Sequence, residues 1–196
     1  LKAVRSLETG VCHIYHKKFD KWSNDDLLAY IKGGTDDRLY AIGQLIRNGV
    51  DLALIYDKTK IDMFFLEKFK NIVEFENVVR AHPMDVETLR AAKRMGLSDK
   101  YIGQLWGLSQ NEMYRLREKN NVFPVYKMID TCASEFASYV PYFYSTYEEE
   151  NESIVSGKEK IIVLGSGPIR IGQGVEFDYS TVHAIWSIRA AGYEAI

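Results

Sequence analysis

A glycine-rich loop near the end of the chain holds the residues best suited to chemistry. The run "GSGPIRIGQGVE" starts at Gly165 and follows an apolar stretch, residues 161–164, that is typical of a buried strand. Closely spaced glycines let a backbone approach an anion, and Arg170 could bind one. The dinucleotide fingerprint Gly-x-Gly-x-x-Gly fails at Arg170, and the P-loop sequence Gly-Lys-Ser/Thr is absent. Spacing alone therefore leaves a tight turn with a solvated arginine as an equal alternative.

A second candidate, "DKYIGQLWGLSQNEMYRLREKNN", fits the helix-turn-helix template of DNA-binding proteins. In this template, Gly103 stands where the first helix needs a small residue, and Gly107 lies in the turn between the two helices. The second helix would present four polar side chains outward: Gln110, Asn111, Tyr114 and Arg115. Against DNA binding, Glu112 and Glu118 share that helix and no basic arm flanks it. DNA binding remains the alternative function, and simple helical packing is favoured.

Two smaller candidates involve cysteine. Cys12, His13 and His16 could ligate a metal, but a fourth ligand has no obvious source, so we expect a surface segment and no metal site. Cys132 has no nearby histidine to activate it, which favours a structural thiol.

The composition limits the function classes. The chain has 196 residues, 46% of them hydrophobic, and its 25 basic and 27 acidic residues leave a net charge of -2. Such a balance gives no overall attraction to nucleic acid or membrane. No apolar run approaches the roughly 20 residues that cross a bilayer. We therefore predict a cytoplasmic protein without nucleic-acid or membrane partners.

Helical periodicity dominates the first two thirds of the chain. Ser23 is predicted to cap one helix and Thr35 the next. In the fourth helix, Phe65, Leu66 and Val73 recur at helical spacing. Seven helical segments are predicted, within residues 23–31, 35–49, 50–59, 61–82, 85–96, 97–107 and 108–121.

These segments contain an internal duplication. Gly49 and Gly96 are 47 residues apart, and so are Ile55 and Ile102, without any gap in the alignment. The same offset pairs Val50 with Leu97, Ile61 with Leu108, Leu66 with Met113 and Phe69 with Leu116. The sequence therefore predicts two similar helical modules packed together.

The pattern changes at Val122. Residues 122–152 are aromatic without helical period and predict an extended segment, which a polar linker follows. Residues 161–164, a helix over 182–192 and the terminal "YEAI" predict an incomplete β-α-β unit of an α/β domain. At the other end of the sequence, "LKAVRSLETG" is typical of the last turns of a helix. Both termini therefore look truncated, and we expect an internal segment of a larger protein.

Several of these strings resemble one family. "VLGSGPIRIGQGVEFDYSTVHA" resembles the opening of the second synthetase half of the carbamoyl phosphate synthetase large subunit. "PVYKMIDTCASEFASYVPYFYSTYEEE" resembles the segment before it, and "TKIDMFFLEKFKNIV" resembles the helical middle region. The resemblance implies three parts: the tail of the first synthetase half in residues 1–22, a mainly α oligomerisation or connection domain in 23–155, and a pre-ATP-grasp start in 156–196.

The resemblance also implies a function. The whole enzyme, an ATP-dependent ligase, makes carbamoyl phosphate from bicarbonate, ammonia drawn from glutamine, and two ATP, and it serves arginine or pyrimidine biosynthesis. ATP and Mg or Mn would bind outside this chain, which is expected to be inactive alone. The implied partners are a glutaminase small subunit and further copies of the large subunit.

Family positions along the tunnel that carries carbamate between the halves correspond to Arg170, Gly174 and Glu176. The resemblance implies no catalytic, cofactor-binding or metal-binding residue in this chain. A nucleotide-binding switch built on the glycine loop is a third possibility.

Overall fold

The chain is described here by a computed structural model that covers residues 1–133, 135–136, 142–165, 174 and 176–196. It divides into two compact units, Leu1–Glu152 and Ser153–Ile196. The first unit is helical with one β-hairpin, and the second combines one helix with two short strands. The predicted mainly α fold with a small α/β start is confirmed.

The helical unit contains eight α-helices among its described residues: α1 (Lys2–Ser6), α2 (Asn24–Tyr30), α3 (Arg38–Arg47), α4 (Leu52–Thr59), α5 (Met63–Ala81), α6 (Val86–Arg94), α7 (Asp99–Trp106) and α8 (Gln110–Lys119). A short 3-10 helix, Lys17–Phe19, lies between α1 and α2. The hairpin after α8 pairs β1 (Val125–Met128) with antiparallel β2 (Phe143–Thr146). The two strands within the aromatic segment are therefore extended, as predicted, and pair with each other.

The duplication predicted from the sequence is present in the helices. Helices α3, α4 and α5 correspond to α6, α7 and α8. The caps repeat at the same offset of 47 residues: Asp51 caps α4 as Ser98 caps α7, and Asp62 caps α5 as Ser109 caps α8. In each case a side-chain oxygen accepts a hydrogen bond from a backbone N–H of the first helical turn, which satisfies a donor that the helix itself leaves unpaired.

Each module encloses its own apolar cluster. The first cluster includes Ile55 and Leu66, and the second includes Ile102 and Met113, which are the residues that the offset pairs. The 19-residue helix α5 belongs to both, because Val73 lies in the first cluster and Val79 in the second. Helix α5 therefore runs through both modules and joins their cores.

In the second module, helix α7 packs closely against the turn that leads into α8. Helix α7 ends at Gly107, whose φ of 72° places it in the left-handed region that glycine adopts without strain. A Cβ atom on Gly103 would lie 2.4 Å from the carbonyl oxygen of Leu108, so only glycine fits at this position. Gly103 and Gly107, which fit the helix-turn-helix template, are therefore required by the packing and the turn of this helix pair.

Two details of the sequence analysis are wrong. Helix α3 begins at Arg38 after Asp37, and not after Thr35, because the Asp37 carboxylate is held by Lys18 (2.6 Å) and by the Tyr30 hydroxyl (2.6 Å). Phe65 lies in α5, as its helical spacing predicted, and its side chain is exposed.

The second error concerns the segment between α1 and α2, which was expected at the surface. His13, Ile14 and Phe19 are buried in it, and Ile14 and Phe19 belong to the first apolar cluster. A Cβ atom on Gly43 of α3 would lie 2.5 Å from the carbonyl oxygen of Ile14, which shows how closely the segment packs on the helix.

The second unit consists of β3 (Lys160–Ile161), α9 (Glu176–Ala190) and β4 (Glu194–Ala195), with the two strands parallel. This is the predicted β-α-β arrangement, although β3 is shorter than the predicted strand and α9 begins six residues earlier than the predicted helix. Gly192, with φ of 92°, follows α9 as a turn residue. In the part of the chain that the structure describes, no helix has the length and apolar character needed to span a membrane.

Candidate functional site

Two of the three predicted tunnel residues, Gly174 and Glu176, lie at the start of α9. Arg170 lies outside the described residues. Gly174 is half-buried just before the helix, and Glu176 is the first residue of α9, with its side chain outside the described part. A Cβ atom on Gly165, at the other end of the loop, would lie 3.6 Å from Oγ1 of Thr181 on α9. The loop therefore starts and ends beside the first two turns of this helix.

Three exposed aromatic rings lie along one face of helix α9. Tyr179, His183 and Trp186 lie one helical turn apart, with ring centroids 4.2 and 5.0 Å apart along the series. All three are exposed, and Trp186 retains 60% of its accessible surface. Within the second unit, Trp186 is therefore not part of a core.

The helical unit contains a buried charge cluster that joins four segments of the chain. Glu76 of α5 accepts a hydrogen bond from Nε2 of His13 at 2.6 Å. Arg47 of α3 binds both oxygens of the same carboxylate, from Nη2 to Oε1 at 2.6 Å and from Nε to Oε2 at 3.0 Å. Tyr101 of α7 stacks on the His13 ring with a centroid separation of 3.8 Å. We call these four residues the Glu76 cluster.

The electrostatics of the Glu76 cluster follow from its burial. Glu76 is 2% exposed, and burial alone would raise the pKa of its carboxyl group. Hydrogen bonds from His13 and Arg47 and the positive charge of Arg47 outweigh burial and lower that pKa to about 2. Burial lowers the pKa of His13, so its ring is neutral at pH 7 and donates through Nε2. Its Nδ1 atom is buried without a partner.

A second charge cluster lies in the second module. Asp99 of α7 binds Lys93 through Oδ1 at 2.7 Å and Arg117 through Oδ2 at 2.8 Å. Lys93 also donates to the carbonyl of Leu97, and the Arg117 guanidinium donates to the carbonyl of Val122. Both cations lie over the Tyr147 ring, at 5.0 and 5.9 Å from its centroid. These contacts fix the segment after β2 to α6 and α8.

The two ends of the helical unit meet at this second cluster. The Lys2 ammonium of α1 donates to the carbonyl of Ser145 in β2 at 2.6 Å. Arg5 donates to the carbonyl of Gly96, in the turn between α6 and α7, at 2.9 Å. The chain therefore enters and leaves the helical unit at neighbouring points.

The remaining sequence candidates do not assemble a site for catalysis. No group of three metal-ligating side chains occurs within the described ranges, and His16 instead accepts a hydrogen bond from the Lys18 backbone. The four polar residues predicted to face outward on α8 are exposed, but Glu112 closes a capping box with Ser109 and Arg117 is buried against Asp99. This is the surface of a packed helix without a positive excess.

The described part of the chain thus combines two paired helical modules with a β-α-β unit. A comparison with family models identifies it further. Residues 1–121 match the model described as the carbamoyl-phosphate synthetase large chain, oligomerisation domain, and residues 157–196 match the carbamoyl phosphate synthase preATP-grasp domain. The chain belongs to the carbamoyl-phosphate synthetase large chain family. The DNA-binding alternative finds no support in these matches.

The sequence analysis missed Glu76, Arg47 and Asp99 as members of buried clusters. One signal was present for Glu76, which lies three residues from both Val73 and Val79 on the apolar face of α5. A carboxylate on such a face needs a buried partner. The partners, His13 and Arg47, are 63 and 29 residues away, and no local pattern identifies them.

Proposed function

We propose that the helical unit joins the two synthetase halves of a carbamoyl phosphate synthetase large chain and performs no catalytic step itself. The match of residues 1–121 to the oligomerisation domain carries the proposal. The contact between Lys2 and Ser145 supports it, because a unit whose ends leave side by side can attach to a larger protein at one place. The division into residues 1–22, 23–155 and 156–196 belongs to the same proposal.

The proposed parent reaction makes carbamoyl phosphate from bicarbonate, ammonia drawn from glutamine, and two ATP, in an ATP-dependent ligase of the cytoplasm. ATP and its Mg or Mn would bind in sequence outside this chain, and the chain alone would be inactive. Its product would serve arginine or pyrimidine biosynthesis, and a glutaminase small subunit would supply the ammonia.

Self-association is the second part of the proposal. Phe64 and Phe65 begin α5 with ring centroids 5.4 Å apart, and both are more than half exposed. Leu54 and Tyr56 of α4 are also exposed. Large apolar side chains grouped at a surface favour contact with another protein surface. They support a role in forming homo-oligomers.

The proposed tunnel wall consists of Arg170, Gly174 and Glu176. Glycine leaves room for a passage, and paired charges of opposite sign can line it without an unbalanced buried charge. A carbamate anion would be attracted by the arginine. The start of α9 at Glu176 supports this placement, because a helix N-terminus stabilises a nearby carboxylate and holds its backbone in one position.

Replacing Glu176 with glutamine in the full-length enzyme is expected to uncouple its two partial reactions. Bicarbonate-dependent ATP hydrolysis should continue while carbamoyl phosphate formation falls, so the ratio of ATP consumed to product should rise severalfold. Asp178→Asn is the matched control, since Asp178 is exposed in the same helical turn. An unchanged ratio in Glu176→Gln, or an equal change in the control, would count against the tunnel assignment.

A further inference from the structure

A cleft in the helical unit collects positive charge from three helices. It has a volume of about 240 Å³ and is open at the point where α1 meets the turn between α6 and α7. Its charged lining consists of Lys2, Arg5, Lys93, Lys100 and Asp99. Ser98, Gln110 and Tyr147 complete the polar lining. Four cationic side chains thus surround one small cleft on a chain whose net charge is -2.

The cationic side chains are poorly neutralised. Asp99 is the one acidic side chain in the described lining, and its two oxygens are already shared between Lys93 and Arg117. Lys2 and Arg5 donate to carbonyl groups, which carry no net charge. The neighbouring acidic run is engaged elsewhere, with Glu149 on Arg94 and Glu150 on Lys127. The cleft therefore keeps a positive excess of three charges, four cations against one carboxylate.

The electrostatic environment of Lys93 reflects this excess. Burial is the main cause that lowers its pKa, and the positive charges of Arg117 and Arg5 lower it further against the opposing effect of Asp99. An anion in the cleft would relieve this repulsion between like charges.

Hydrogen-bond donors also remain for such an anion. An ammonium group has three N–H donors and a guanidinium has five. Lys2 and Arg5 are each seen to use one of them on a carbonyl oxygen. The cleft also lies at the first turn of α7, where the helix dipole adds to the attraction for negative charge.

We propose that this cleft binds a phosphate group. Its convergent lysine and arginine donors fit the oxygens and the charge of a phosphate. Its volume is below the roughly 300–1,000 Å³ of pockets for drug-sized ligands, so it accepts inorganic phosphate, pyrophosphate or the terminal phosphates of a larger molecule. A bound phosphate would connect α1 to α6 and α7 beside the contact between Lys2 and Ser145. It would therefore strengthen the place where the chain enters and leaves the unit.

The test is binding of sodium phosphate, pyrophosphate and ATP to the whole chain, by calorimetric titration and by thermal unfolding. Ionic strength is held constant with sodium chloride, because screening alone changes the stability of a charged surface. We expect saturable binding with one site and a melting temperature that rises with ligand concentration. Affinity for ATP equal to or above that for pyrophosphate would identify a nucleotide as the source of the phosphate, and weaker affinity would identify free phosphate.

The double variant Lys2→Gln/Lys100→Gln should bind at least about tenfold more weakly, since it removes two of the four cationic donors and their charge-assisted hydrogen bonds. Both side chains are exposed, so the fold should persist, and far-UV circular dichroism checks this. Lys17→Gln/Lys32→Gln removes the same charge from exposed positions outside the cleft and should bind as the unchanged chain does. No saturable binding, or equal weakening in both double variants, would overturn the proposal.

Discussion

Replacing Glu76 with glutamine is expected to lower the free energy of unfolding by about 3 kcal/mol, because it leaves the half-buried charge of Arg47 without a counter-ion and removes a buried carboxylate. The carboxylate accepts three hydrogen bonds, two from Arg47 and one from His13. A glutamine side chain has one acceptor oxygen, and its amide group would face a donor. Urea unfolding at pH 7, followed by circular dichroism, measures the loss.

A neighbour on the same helix provides the control. Glu74 is 60% exposed and pairs with Lys70 at 3.5 Å, so Glu74→Gln should change stability by less than about 0.5 kcal/mol. The double variant Glu76→Gln/Arg47→Gln should recover part of the loss, because it removes the buried charge as well. A Glu76→Gln variant as stable as the unchanged chain would mean that the Glu76 cluster does not stabilise the fold.

Acid is expected to destabilise the helical unit by about 3 kcal/mol through Glu76 alone. The pKa of this group falls from 4.5 in the unfolded chain to about 2 in the folded one. A lowered carboxyl pKa means that the unfolded chain binds the proton first, so the stabilisation is present above pH 4.5 and is lost as the pH falls toward 2. A lowering of the pKa from 4.5 to about 2 corresponds to this magnitude, since a tenfold change in proton affinity is about 1.4 kcal/mol.

His13 extends the loss of stability to milder acid. Its folded pKa lies below the usual histidine value of 6.5, so the unfolded chain takes up this proton first and stability falls once the pH drops below 6.5. Urea unfolding at several pH values between 7 and 3 gives the profile. The gap in stability between the unchanged chain and Glu76→Gln should narrow as the pH falls below 4.5. A gap that stays constant over this range would contradict the low pKa of Glu76.

Local sequence signals predicted the helices and their repetition. The offset between Ile55 and Ile102 identified the two modules, because a buried position keeps its apolar character in both copies of a repeat. Ser23 was correctly placed as an N-cap, since the preference acts within one helical turn. Thr35 has the same local preference, but contacts of Asp37 with Lys18 and Tyr30 decide where α3 begins.

Long-range contacts explain what the sequence did not predict. The segment around His13 has a mixed composition that resembles a loop, yet it is buried because Glu76 and Tyr101 come from helices far along the chain. The meeting of Lys2 with Ser145 spans 143 residues and likewise has no local signature. The tunnel residues were obtained from the resemblance, and their roles remain a prediction.

If the helical unit joins two synthetase halves as proposed, its two helical modules must fold and move as one body. Trp22 packs against the first apolar cluster, and Trp106 packs against the second while donating to the carbonyl of Val79 on α5. Fluorine NMR of the chain labelled with fluorotryptophan, recorded through a urea titration, reports both sites in the same molecules. The account predicts that the signals of Trp22 and Trp106 lose their folded intensity together, with one midpoint and one slope of the urea transition. Separate transitions for Trp22 and Trp106 would show that the modules unfold independently and would contradict a single rigid joint.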